Sequence, residues 1–227
     1  MAGPSVLFYS GGREYFVLYS LPINRYIMTR KKYSREAFMA DQRNTKEQIL
    51  DIAENVLRDR GYNGFSYKDI SNSLGIKNAS IHYHYPTKTD LGVAIIRRAM
   101  NRFENWTQSL ESRNLGYSEK LNEFCLRFRK FVDLQQICLG GTLQTDFKTI
   151  PEEMQKETCQ FVSSTLQWLE NLLEDGREQG AFNFPGKARD QALMTAATLQ
   201  GAVQLVRATT PSSFDSIMKQ ITLLVQR

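Results

Sequence analysis

The chain holds only two histidines and three cysteines among its 227 residues, and that scarcity removes most of the chemistry a protein of this length could carry. His82 and His84 stand two positions apart; on a helix they face different ways and make a poor metal pair. No G-x-S-x-G, phosphate loop, H-E-x-x-H or C-x-x-C occurs, so the sequence predicts no enzyme, no metal and no cofactor. Cys125, Cys138 and Cys159 are odd in number and far apart, which suits a reducing cytoplasm better than a disulfide framework. No apolar run approaches the ~20 residues a membrane helix needs. Residues 1–27 are no signal peptide: Gly11, Gly12, Arg13 and Glu14 interrupt their aromatics, and no small-residue cleavage site follows an apolar run.

What is present is an ordinary globular composition, 41% apolar and 23% charged, in a chain long enough for a real core in one or two domains. The net charge of +5 is concentrated in residues 1–43, where Arg13, Arg25, Arg30, Lys31, Lys32, Arg35 and Arg43 against Glu14, Glu36 and Asp41 give +4. The rest of the chain is near neutral. A nucleic-acid footprint must therefore come from local clustering around Lys68, Lys77 and Lys88, helped by the basic leader.

The informative stretch is residues 66–88. Ser66 and Asp69 have capping-box spacing, so a helix is expected from Tyr67. Ile70 and Leu74 share one face, Gly75 suits the left-handed stop, and Ile76 plugs the turn. The next short helix buries Ile81 and Tyr85 and shows Lys77, Asn78, Ser80, His82, Tyr83 and His84, groups that can hydrogen-bond bases or phosphates. Pro86 ends it, and Thr87 with Asp90 launches a long helix. Upstream, Thr45 and Gln48 are expected to open a helix with an apolar stripe at Ile49, Ile52, Ala53, Val56 and Leu57, closed by Gly61. This is helix-turn-helix grammar.

Residues 45–91 resemble the N-terminal domain of the TetR/AcrR family of one-component regulators. The family's R-G-Y/F turn, S/T-x-x-D-I helix and G-V-S-x-x-T-L-Y-x-H-F-x-x-K run read here as Arg60-Gly61-Tyr62, Ser66-x-x-Asp69-Ile70 and Gly75-Ile76-Lys77-x-x-Ser80-Ile81-His82-x-His84-Tyr85-x-x-Lys88. Lys77 stands where the family has Ser or Thr, His82 where it has tyrosine, and Ala79 where it often has glycine. The resemblance implies an all-α protein: a three-helix DNA-binding domain over 44–91, then a helical effector-binding and dimerisation domain over 92–227. Residues 1–43 are expected to be a disordered leader or sequence upstream of a true start at Met28 or Met39, with a basic arm in a flanking minor groove as the alternative.

On that resemblance Thr45, Ser66, Lys68 and Lys88 are the phosphate candidates. Asn78, Ser80, Tyr83 and His84 are the base-proximal candidates, and Lys77, Ala79 and His82 complete the surface. The partners implied are a palindromic double-stranded DNA operator, a second copy of the chain and a small-molecule effector, with no membrane. An effector would tilt paired heads away from the ~34–36 Å half-site spacing and release the operator. The rival class is a helical ligand-binding or protein–protein adaptor that has lost DNA binding.

Beyond residue 88 the chain reads as helices separated by polar breaks, with Gly140-Gly141 expected to interrupt one. Phe103, Trp106, Phe124, Phe128, Phe131 and Trp168 could line an effector cavity or be ordinary core; Gln135, Gln144 and Gln200 are polar companions. Leu166, Leu169, Leu173, Leu199, Gly201 and Val203 could form a dimer interface or line the protomer's own core. Cys138, at a helix boundary, is either a buried thiol or an effector-site sensor activated by the helix start.

Overall fold

The computed structural model describes residues 6–11, 14–20, 26–29 and 35–226. Strands β1 (Val6–Gly11), β2 (Glu14–Ser20) and β3 (Tyr26–Thr29) form an antiparallel sheet in that order, with Gly11 opposite Glu14 and Ser20 opposite Tyr26. β1 and β2 are runs of valine, leucine, phenylalanine and tyrosine, which fit a pleated surface. A sheet therefore stands within the stretch read as a disordered leader; its short apolar-aromatic runs carry a strand signal that a search for helical periodicity misses. Arg13, Arg25, Arg30, Lys31 and Lys32, the core of the expected basic arm, lie outside the described residues.

The remaining described residues are helical: α1 (Arg35–Arg60), α2 (Tyr67–Leu74), α3 (Asn78–His84), α4 (Lys88–Ser112), α5 (Tyr117–Asp133), α6 (Leu139–Thr145), α7 (Glu152–Glu178), α8 (Ala188–Leu205) and α9 (Pro211–Val225). The class is all-α, a helix-turn-helix head followed by a helical bundle. Two local expectations fail. α1 begins at Arg35, so Thr45 is an interior helical residue and does not open the helix. α6 runs through Gly140-Gly141 instead of breaking there. Its first turn is capped by Cys138, whose Sγ accepts the Gly141 N–H at 3.3 Å. Both glycines are buried, and tertiary packing there outweighs a propensity cost of about 1 kcal/mol each.

The helices divide into two compact units. One comprises the described residues up to Val56 with Phe65–Leu91; the other comprises Leu57–Gly64 with Gly92 onward. The Arg60-Gly61-Tyr62 turn thus belongs with the C-terminal helices, although it sits inside the stretch that reads as the N-terminal domain. The first unit is built on Ile49, Leu50 and Ala53 of α1, Ile70 of α2, and Ile81, Tyr85 and Leu91, all buried. In the second unit α7 packs along α8, and α5 packs against α7, α8 and α9. Its centre holds Phe124, Leu169, Leu173, Leu199 and Phe214. The α9 end is tied down where the Asn183 N–H donates to the Val225 carbonyl at 2.7 Å.

That packing corrects most of the expected dimer interface. Leu169, Leu173 and Leu199 are 0% exposed and Val203 1%: they are spent on the protomer's own core because α7 and α8 bury these faces against each other and α5. Leu166 is half-buried and Gly201 exposed. What α8 does present to solvent is Leu193, Met194, Ala197, Gly201 and Leu205.

Candidate nucleic-acid interface and ligand cavity

The first unit delivers α3 by a chain of local devices. At the start of α2 the Asp69 carboxylate accepts both the Ser66 N–H and its hydroxyl at 2.7 Å. Gly75 closes that helix at φ +66, where its N–H reaches the Ser71 carbonyl. α3 then buries Ile81 and turns the rest of its short surface outward. Its end is pinned twice. The Tyr67 hydroxyl donates to the Tyr85 carbonyl at 2.7 Å, and His82 Nδ1 lies 3.0 Å from the Pro86 carbonyl. A carbonyl can only accept, so Nδ1 carries the proton. Thr87 and Asp90 complete a reciprocal box at the head of α4: Asp90 Oδ2 takes the Thr87 N–H at 2.9 Å, and Thr87 Oγ1 takes the Asp90 N–H at 3.0 Å.

The result is an outward face carrying Lys77, Asn78, Ala79, His82 and Tyr83, with Tyr83 74% exposed. The Tyr83 ring meets that of His84 edge-on at 5.1 Å and is otherwise open to a partner. His82 differs: its ring packs 4.6 Å from that of Tyr67 and its Nδ1 is engaged, so it is as much a brace for α3 as a contact. Ser80 and His84 are half-buried. Burial first, and then Lys46, lowers the His84 pKa below its usual 6.5, which favours the neutral ring. Ser66 and Lys68 are exposed, Thr45 half-buried within α1. The Lys88 ammonium lies 4.5 Å from the Phe65 ring centroid.

The second unit holds a cavity of about 370 Å³. Phe103, Phe124, Phe128 and Phe131, all expected from the sequence, line it, and Cys138 does too. Trp106 and Trp168 do not. They form a layer behind the wall, 5.2 Å apart, with Trp168 at 5.5 Å from Phe124. Gln144 and Gln200 line the cavity, whereas Gln135 occupies a left-handed turn after α5 and does not. Leu166, read as an interface residue, lines the cavity as well. Unforeseen are Phe161 and three arginines: Arg58 of α1, Arg102 of α4 and Arg127 of α5. No local signal could have joined them, since each comes from a different helix and charged residues on helices are usually just solvated.

Cys138 is buried, and desolvation raises its pKa more than the Gly141 N–H and Arg58 lower it, which opposes activation of the thiol by the helix start. Burial also pushes Cys125 up to about 12. Cys159, by contrast, is exposed. Beside the cavity, α6 ends at Asp146, whose Oδ2 accepts the Tyr62 N–H at 2.7 Å. Asn63 Nδ2 donates to Thr149 Oγ1 at 2.7 Å. Gly61, at φ +74, permits this approach: a Cβ there would stand 2.6 Å from the same carboxylate oxygen.

Residues 49–95 match the family model described as bacterial regulatory proteins, tetR family. A TetR-family transcriptional regulator from Agrobacterium tumefaciens superposes with a TM-score of 0.78 at 28% identity, covering 82% of this chain and all of that one. The chain is thus similar to TetR-family regulators in its head and in its fold. Among curated relatives, the biofilm operon icaADBC negative transcriptional regulator IcaR of Staphylococcus epidermidis is 30% identical over 122 residues, 53% of this chain and 64% of IcaR. The chain thus spans just under two thirds of that relative's length. The transcriptional repressor NemR of Escherichia coli K12 is 23% identical over 170 residues, 71% of this chain and 83% of NemR. The helix-turn-helix described above lies within the residues that match the family model. Among the chain's described residues no helix is long and apolar enough to cross a membrane.

Proposed function

We propose that this chain is a homodimeric TetR-family repressor that sets α3 of each copy into one major groove of a palindromic operator and leaves it when a small molecule fills the second unit's cavity. The observation that carries the DNA half is the outward face of α3, where Lys77, Asn78 and Tyr83 are exposed while Ile81 and Tyr85 anchor the helix. Lys68 and Lys88 add phosphate contacts, which position a protein without reading sequence. Two-fold symmetry follows from the two half-sites that helix-turn-helix proteins engage. The exposed α8 face from Met194 to Leu205 supplies the surface for it. Nothing lies within 4 Å of a Cβ placed on Gly201, so Gly201→Glu fits one protomer and collides only with a twin.

Release requires that the ligand favour one of two states of the protein. α6 lines the cavity through Leu139, Gly140 and Gln144 and carries Asp146 at its end. A ligand that shifts α6 therefore pulls on the Gly61-Tyr62 turn, which leads along the chain into α2.

The test is binding of fluorescent DNA from upstream of the gene, across a salt series, with light scattering in parallel. Expected are a dimer at micromolar concentration, specific binding, and a salt slope reduced by about one unit in Lys88→Ala. Gly201→Glu is expected to give a folded monomer without tight binding. A monomeric wild type, or a Lys88→Ala slope equal to wild type, defeats the respective half of the reading.

A further inference from the structure

The cavity is apolar on its walls and cationic at three points, and none of its lining residues is a carboxylate. Arg127 is the most telling. It is half-buried, with its guanidinium carbon 4.4 Å from the Trp106 ring centroid and 5.6 Å from that of Phe103. It takes part in no ion pair among the described residues. Arg58 lies over the Phe131 ring at 4.9 Å and is near enough to Arg127 to depress its pKa, after burial as the larger cause. Partial burial of the Arg127 guanidinium without a counter-charge is unfavourable and is relieved by an anion. Stacking on aromatic faces holds a planar fork of donors in place, which suits a carboxylate or another flat or tetrahedral oxyanion. The volume of about 370 Å³ lies at the small end of the usual range for ligand sites. Phe124, Phe128 and Phe161 leave the rest of that space to an apolar body.

We propose that the cavity binds a small amphipathic monoanion, its apolar body against Phe124, Phe128 and Phe161 and its head on Arg127, with Arg58 and Arg102 adding positive potential. This rests on the reading of the second unit as the effector-binding unit and specifies what that unit recognises. Arg102, exposed at the rim, attracts the anion on entry; Arg127 fixes its head.

The chain contains only two tryptophans, Trp106 and Trp168, and both stand beside the site, so intrinsic fluorescence reports occupancy directly. Full-length protein without DNA is titrated with octanoate, octyl sulfate, octan-1-ol and octylamine. Both anions are expected to bind saturably, and the alcohol roughly tenfold or more weaker, as the loss of a charge-assisted contact implies. The amine is expected not to bind. Arg127→Gln removes the preference for acid over alcohol while keeping the alcohol affinity, and Arg127→Lys restores part of it. Arg102→Gln, at an exposed position, lowers the anion affinity severalfold and provides the test if Arg127→Gln does not fold. Equal affinity for acid and alcohol, unchanged acid affinity in both Gln variants, or no saturable binding by either anion overturns the proposal. Because no DNA is present, failure here leaves operator binding untouched, and failure of operator binding leaves this titration untouched.

Discussion

The recognition face and the cavity are assembled in opposite ways. α3 is held by contacts between residues close in sequence: Ser66 with Asp69, Thr87 with Asp90, His82 with Pro86. The cavity draws its lining from α1, α4, α5, α6, α7 and α8. The first surface is therefore robust to what happens far along the chain, and its contacts can vary without loss of fold. The second exists only if six helices converge, so its apolar members are also core. A change on the exposed face of α3 therefore alters binding alone, whereas a change in the cavity wall alters stability as well.

Substitutions on α3 should have the strongest consequence for DNA binding. Tyr83→Ala with Lys77→Ala should cost about 1–3 kcal/mol of operator affinity per lost base contact, with an unaltered thermal transition because both side chains are exposed. Fluorescence anisotropy against the operator and a melting curve measure the two effects. A double variant that melts earlier would show that the face is not independent of the fold.

A matched pair of glycines separates backbone strain from a lost contact. Gly75 and Gly61 both have positive φ, +66 and +74. Gly75→Ala meets nothing within 4 Å, so only the left-handed backbone penalty of about 1–2 kcal/mol applies. Gly61→Ala also drives a methyl into Asp146 and breaks its bond to the Tyr62 N–H, adding roughly 1–3 kcal/mol. Urea midpoints read both. Equal losses would mean that the Asp146 contact contributes nothing.

Thiol labelling compares rates. Cys159 should react well before Cys125 and Cys138, since the last two are buried and held protonated by desolvation. Timed alkylation with peptide mass spectrometry ranks the three, and a Cys138 that labels first would restore it as a sensor.

The smallest effect is a pH dependence in the head. His84 is less basic folded than unfolded, so the unfolded chain takes up the extra proton. The stability this ring contributes is complete above pH 6.5 and is lost as the pH falls from there through the folded value. Denaturant midpoints should decline slightly on acidification in wild type and stay flat in His84→Gln.

How much could be read in advance follows the same division. The capping boxes at Ser66 and Thr87, the stop at Gly75 and the anchors Ile81 and Tyr85 are spacing signals, and each stands in the structure where spacing puts it. Thr45 carries the same spacing with Gln48, yet lies mid-helix, because a cap motif signals a start only if the preceding residues do not already continue the helix. Leu169, Leu173, Leu199 and Val203 show helical periodicity correctly, but periodicity cannot say which partner covers a face. The cavity arginines carried no signal, since nothing local marks a charge as turned inward.

The membership of Leu57–Gly64 in the second unit bears on engineering. The backbone passes between the two units at Val56, again at Phe65, and a third time at Leu91. A chimera joined once near residue 91 would thus import a foreign turn against Asp146 and Thr149, together with a foreign Arg58 position in the cavity. A graft that keeps this chain's residues 57–64 and exchanges only the flanking head segments preserves both. Specificity swaps in this scaffold are a problem of three junctions, and the short middle segment should travel with the ligand-binding half.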